Sequence, residues 1–178
     1  EAITDTAGIV AYVQQAAAQG GNMLFGFGGM PDFKDSTMNL AYASQGGLGL
    51  PDATYYTDAA KKDKLDAYQA HVARMLALSG VAAADAADQA AKVVALETRL
   101  ARASKSSVEL SRDVSLYYNP VSLADADKLT PNFNWSAFFA SQGIDAPSTF
   151  SLAIPGFHQE VSAALADTDV ATWQAYLR

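Results

Sequence analysis

The sequence predicts a mainly α-helical fold: a multi-helix lobe with one antiparallel helical hairpin, a small β-hairpin and a candidate third short strand. Three observations predict it. The chain is 50% hydrophobic and rich in alanine, which favours helix because it loses no side-chain entropy there. Two stretches with apolar residues at three- and four-residue spacing, Leu65 to Leu76 and Ala90 to Leu100, lie on either side of a short link at Gly80, as in paired antiparallel helices. Two short β-favouring stretches flank the turn-rich hexamer Pro31 to Ser36, as in a hairpin.

In order along the chain, Thr4 to Gln19 places Ile9, Val10, Val13 and Ala17 on one helical face. Thr4 or Asp5 is positioned to cap it, and Gly20-Gly21 to end it. Met23 to Phe27 and Thr37 to Ala43 form the hairpin arms, with Met38, Leu40 and Tyr42 alternating as one buried face would. Gly46 to Pro51 is too glycine-rich for regular structure, and its two leucines are expected to plug into a core. From Asp58 the pattern turns helical as far as Gly80, and a second long helix runs from about Asp85 to Ala103. Beyond Ser106 the pieces shorten. Ser122 with Asp125 resembles a capping box with Asp in place of Glu, and Trp135, Phe138 and Phe139 make an aromatic stripe on a short helix. Phe150 to Ile154 is the candidate third strand, Pro155 opens a helix towards Ala166, and Asp169 caps a last one. With no repeat and no linker, residues 1–178 read as a single unit.

Composition excludes several function classes. There are 178 residues, 12 basic against 19 acidic, for a net charge of -7, and acids flank the two basic clusters, so no footprint for nucleic acid exists. No apolar run approaches the ~20 residues of a membrane span. The absence of cysteine excludes disulfides, thiolate metal sites and cysteine nucleophiles. The chain opens on Glu1 rather than methionine, which predicts a trimmed or excised segment.

Candidate chemistry is sparse. The two histidines, His71 and His158, have no second histidine at helical spacing, so no His-Glu-x-x-His zinc helix is present. His71 reads as a boundary residue on an amphipathic helix and His158 as a surface residue in a first helical turn. Gly26 to Gly29 lacks the spacing and the following helix of a phosphate loop. Asp32 and Asp35 read as turn caps, and Asp125 and Asp127 as helix-start acids. Ser104, Ser106 and Ser107 have no partner histidine nearby in sequence, and Asn134-Trp-Ser136 is a short glycosylation match. Glu97, on a largely apolar helix face, is expected to pair with Arg112 and lock a helix to a loop.

Several segments together resemble the amino-terminal half of the neprilysin-like zinc endopeptidases, which include endothelin-converting enzymes and bacterial oligopeptidases. They are Asp32-Phe-Lys34-Asp-Ser36, Gly46-Gly-Leu-Gly-Leu-Pro51 with Tyr55-Tyr56, Tyr68 with His71 and Met75, Glu97 with Leu100-Ala101, Arg112-Asp113, Tyr118-Asn119, Trp135, Ile154-Pro-Gly-Phe157 and Trp173 with Tyr176. The similarity runs from about Leu24 to Arg178. Val114 stands where the family often has proline. The resemblance implies that residues 1–178 form most of a helical lid lobe, which faces a catalytic lobe of the same polypeptide and admits peptides while excluding folded proteins. It implies zinc in the parent protein and no cofactor in this chain, because the zinc helix and the substrate-binding stretch lie downstream in the family. No catalytic, cofactor-binding or metal residue is assigned here. An extracytoplasmic location (periplasmic, secreted or membrane-tethered) is the corresponding expectation. The alternative is a stand-alone helical binding module without peptidase activity, and a carboxylate hydrolase is a third reading.

Overall fold

The structure, a computed structural model, describes residues 3–178. Helix α1 (Thr6–Ala18) starts where the Asp5 carboxylate accepts the Gly8 N–H at 2.8 Å, and it buries Ile9 and Val13. Gly20, at φ 84°, turns the chain out of the helix, and the Gly21 N–H closes it on the Ala16 carbonyl at 2.8 Å. Strands β1 (Phe25–Pro31) and β2 (Asn39–Gln45) form the expected antiparallel hairpin, in register from Phe25 opposite Gln45 to Pro31 opposite Asn39. Leu40 and Tyr42 are buried, but Met38 is 60% exposed, so the expected stripe loses its first member. Met38 lies in the turn, where its carbonyl accepts the Asp32 N–H at 2.9 Å, and the strand begins only at Asn39.

Helix α2 (Thr54–Thr57) follows the glycine-rich loop and leads through a 3-10 turn into α3 (Lys62–Leu78). Gly80, at φ 100°, ends that helix, and α4 (Ala83–Ala103) returns alongside it. Leu76 of α3 packs with Ala86 and Ala90 near the link, while Tyr68 reaches Glu97 further along, so the pair is the antiparallel hairpin that the sequence predicts. Helix α5 (Ser107–Arg112) has a full capping box, in which Glu109 returns to the Ser106 N–H at 2.9 Å. At α6 (Leu123–Leu129) the box is only half made: Ser122 caps the Asp125 N–H, and the Asp125 carboxylate bonds the Ser122 hydroxyl instead of its backbone. Asp is one methylene shorter than Glu.

Helix α7 (Trp135–Ser141) buries Trp135, Phe138 and Phe139 as expected, and α8 (Pro155–Asp167) and α9 (Val170–Tyr176) complete the chain. Two further strands, β3 (Pro120–Val121) and β4 (Phe150–Leu152), extend the hairpin into a mixed four-stranded sheet of order β1-β2-β4-β3. Strand β4 runs parallel to β2, and β3 is antiparallel to β4. The third strand is therefore where Phe150 to Ile154 places it. The fourth has only two residues, too few to show any alternation. The main core lies between one face of this sheet and helices α1, α6, α7, α8 and α9, with Trp135, Phe138, Phe150, Phe157 and Trp173 at its centre.

One prediction from the sequence fails in this core. His158 is 2% exposed rather than on the surface. Ile154, held at φ 54° before Pro155, turns the chain sharply from β4 into α8. That turn presses the first turn of α8 onto the sheet, where both Phe157 and His158 are covered. The imidazole Nε2–H donates to the Ala43 carbonyl at 3.2 Å and lies among the rings of Phe25, Trp135 and Phe157.

Candidate functional site

A buried polar cluster is built around Glu97. Helix α4 carries it on a face that is apolar above and below, with Val93, Val94 and Leu100 buried. The carboxylate is 4% exposed. It accepts the Tyr56 hydroxyl from α2 at 2.7 Å and the Tyr68 hydroxyl from α3 at 2.9 Å. The Tyr56 oxygen in turn accepts the Leu50 N–H at 2.9 Å. Burial pushes the Glu97 carboxyl above its ordinary value, and the two tyrosine hydroxyls hold it back. Burial, and next the Glu97 charge, push both tyrosine hydroxyls well up, so they remain donors at any physiological pH.

The expected Glu97–Arg112 pair does not form. Arg112 ends α5, which the Ser106 capping box sets off in a new direction, and it is exposed. Two tyrosine hydroxyls take the place of a cation, which is a common way to satisfy a buried carboxylate. Sequence reading marked Glu97, Tyr56, Tyr68 and the glycine loop separately. Their meeting was not legible, because it depends on α2, α3 and α4 converging.

The glycines of that loop are fixed by these tyrosines. A side chain at Gly49 would overlap the Tyr68 ring, and one at Gly47 (φ 75°) would meet both the Tyr176 hydroxyl and the Leu24 carbonyl. The Tyr176 hydroxyl lies 2.7 Å from the carbonyls of Met23 and Gly47 and has one proton to donate between them. Leu48 and Leu50 are partly buried against Tyr56 and its neighbours, as plugs. Gly49→Ala is therefore expected to destabilise the chain by about 1–3 kcal/mol through overpacking, read from urea unfolding. A neutral result would mean that the loop is free to move off Tyr68.

Two grooves meet at this cluster. One of about 280 Å³ has Tyr68, Val72, Met75, Leu76 and Val93 among its walls, and another of about 260 Å³ is walled by Met23 and Gly47 to Gly49. Glu97 and Tyr176 border both. A larger trough of about 560 Å³ lies across the sheet over Gly26 and Gly28, edged by Phe33, Tyr42 and Val114.

The remaining candidates are committed to structure. His71 is exposed on the wall of the first groove, and His158 is on another helix in the core. Asp32 accepts the Lys34 N–H at 2.7 Å and Asp35 the Thr37 N–H at 3.1 Å, both as turn caps. Asp127 accepts the Trp135 N–H at 2.9 Å, and Asp125 pairs with Ser122 and Lys128. Ser104 donates to the Leu100 carbonyl, and Ser106 caps α5. The Ser107 N–H donates to Asp52 at 2.7 Å, which holds that carboxyl far below the usual range. Asn134 caps α7 by accepting the Ala137 N–H at 2.6 Å, and Gly26 to Gly29 lie within β1. Among the described residues, no group of three or more His, Asp or Glu side chains is placed to hold a metal ion. The donors do not fit zinc: the His158 Nε2 is bonded to a carbonyl, and Glu97 is satisfied by hydroxyls.

Residues 2–178 match the model of Peptidase family M13. Endothelin-converting enzyme-like 1 of Rattus norvegicus is 39% identical over 108 residues, 58% of this chain and 14% of that protein. Neprilysin-3 of Drosophila melanogaster is 32% identical over 120 residues, 66% of this chain and 15% of that protein. Among solved structures, the zinc metalloprotease Zmp1 of Mycobacterium tuberculosis superposes with a TM-score of 0.87 at 30% identity, over 97% of this chain and 27% of that one. The chain thus spans a small part of the length of each relative.

Proposed function

The chain belongs to peptidase family M13, its amino-terminal region resembling that of the neprilysins and endothelin-converting enzymes, and on that footing we propose that it is the non-catalytic amino-terminal part of a zinc-dependent endopeptidase acting on peptides and short oligopeptides. In this reading the region encloses the active-site cavity, so that extended chains enter and folded proteins do not. The metal supplies the hydrolytic chemistry from ligands in the rest of the polypeptide. Exclusion of water and limits on substrate size are what a rigid wall contributes. The observation that carries the reading is the match of almost the whole chain to the family. An extracytoplasmic location belongs to the same proposal. No helix among the described residues is long and apolar enough to cross a membrane.

The test is a comparison of two proteins, the 178-residue chain and the product of the reading frame carried past Arg178. The longer product is expected to contain a His-Glu-x-x-His helix, to bind zinc and to cleave an oligopeptide, whereas the 178 residues do neither. Stoichiometric zinc or peptide cleavage with the shorter protein alone would falsify the assignment. A stop codon directly after Arg178 would favour a stand-alone binding module instead.

A further inference from the structure

Helix α9 carries no signal that ends it. Helices α1, α3 and α7 each run into a glycine at positive φ, namely Gly20, Gly80 and Gly143. Val170 to Arg178 contains neither glycine nor proline. Leu177 still lies in the right-handed helical region, at φ -85° and ψ -4°, and its N–H donates to the Trp173 carbonyl at 2.9 Å. The same residues border a groove. Ala175, Tyr176 and Arg178 form one side of the groove of about 280 Å³ whose other sides are α3 and α4. Ala175 already packs with Leu76 of α3 and with Ala86, Ala90 and Val93 of α4. Beyond that contact the groove is open to solvent. Met75 is 52% exposed on its wall, and Leu78, about one turn further along α3, is 82% exposed.

We propose that α9 continues past Arg178 and that the apolar face of its next turns fills the groove between α3 and α4, over Val72, Met75 and Val93. The inference rests on the peptidase reading, which places further polypeptide after Arg178; the chain covers 27% of Zmp1. This occupant fits better than a separate partner for two reasons. It is tethered at the wall of the groove, so it seats without the loss of translational freedom that a separate molecule incurs. It also extends a contact that Ala175 has begun with the same two helices. An unbroken helix returns the same face to the groove every three or four residues, so the positions about four and about seven places after Ala175 fall there. With those turns in place, the α3–α4 hairpin becomes a three-helix layer, and Met75 passes from the surface into a core.

The test uses the product of the reading frame carried past Arg178. The first and fourth residues after Arg178 are expected to be apolar, with no glycine or proline in the first turns. Charged residues at both positions, or a glycine or proline between them, overturn the proposal. With photo-methionine, the diazirine analogue, incorporated in place of methionine, irradiation and peptide mass spectrometry then read what lies against Met75. The expected product is monomeric and joins Met75 to a residue within about 14 positions after Arg178, or four helical turns. Met75 joined to a second copy, to a remote segment of the product, or to water alone overturns the proposal. None of those results touches the peptidase reading, which zinc binding and peptide cleavage by the same product test separately. A stop codon directly after Arg178 overturns both.

Discussion

Replacing Trp135 with alanine is expected to lower the unfolding free energy by about 3–5 kcal/mol, the range for deleting a large aromatic from a packed core. The indole is 1% exposed. Its ring centroid lies 4.9 Å from that of Phe133, 5.0 Å from Phe150 and 5.4 Å from Phe25, with Phe138 and His158 beside it. These neighbours come from β1, β4, α7, α8 and the segment before α7, so the hole cannot be closed by shifting one element. The Nε1–H also donates to the buried Thr130 hydroxyl at 2.9 Å, and that hydroxyl donates to the Ala126 carbonyl at 2.8 Å. The indole thus joins the sheet to the end of α6 by a hydrogen bond as well as by packing. Single domains have about 5–15 kcal/mol in all, so the variant should be close to unfolded at room temperature. Urea unfolding followed by far-ultraviolet circular dichroism is the suitable measurement, because tryptophan fluorescence would lose one of only two reporters. Trp135→Phe separates the contributions, keeping a ring and losing the hydrogen bond. A loss under about 1 kcal/mol in Trp135→Ala would show that the aromatic cluster is not the centre of the core.

Local chemistry explains which parts of this fold the sequence revealed. Helix α1, with a cap at one end and a glycine at the other, was legible because both signals act within a few residues, and α3 was legible from its apolar spacing and the glycine that ends it. The hairpin was legible from alternation, and the antiparallel helices from the brevity of their link. Met38 misled because alternation does not state where a turn ends, and here the turn includes it. His158 misled because a first-turn polar residue is normally solvated, and its burial depends on the left-handed turn at Ile154. β3 was invisible: two residues become a strand only because β4 is there to pair with them. At the candidate site, Glu97 was picked out correctly as an unusual charge on an apolar face. Its partner was not, since nearness in a sequence motif says nothing about which helices converge. The expectation of a cation overlooked the fact that tyrosine hydroxyls can satisfy a carboxylate equally well.

The second large effect is a pH dependence from His158. Burial pushes the imidazole down from 6.5 to about 4, and no carboxylate is among the groups that shift it. In the unfolded chain the ring takes up a proton near its ordinary value, whereas in the folded chain it stays neutral. A depressed histidine therefore contributes no penalty above about pH 6.5, and stability is lost as pH falls from there towards 4, by about 3 kcal/mol. Glu97 acts in the opposite sense, since its raised value makes the fold gain stability as pH falls through its window. Carboxyls held low, such as Asp52 and Asp169, contribute fully above the ordinary carboxylate value and lose that contribution as pH falls through it towards their own lower values. Because the two terms oppose each other, the pH profile of the parent chain alone is not diagnostic. The difference between parent and His158→Gln is. Glutamine places an amide N–H near the Nε2 position, and the Ala43 carbonyl keeps its bond from the Ala153 N–H at 2.9 Å in any case. Measured by urea unfolding at pH 7 and pH 4, the stability of His158→Gln relative to the parent should improve by about 3 kcal/mol on acidification. Parallel curves for the two proteins would mean that the imidazole is protonated inside the fold. That outcome would require the Ala43 and Ala153 backbone, which draw the imidazole upward, to outweigh its burial among the rings of Phe25, Trp135 and Phe157.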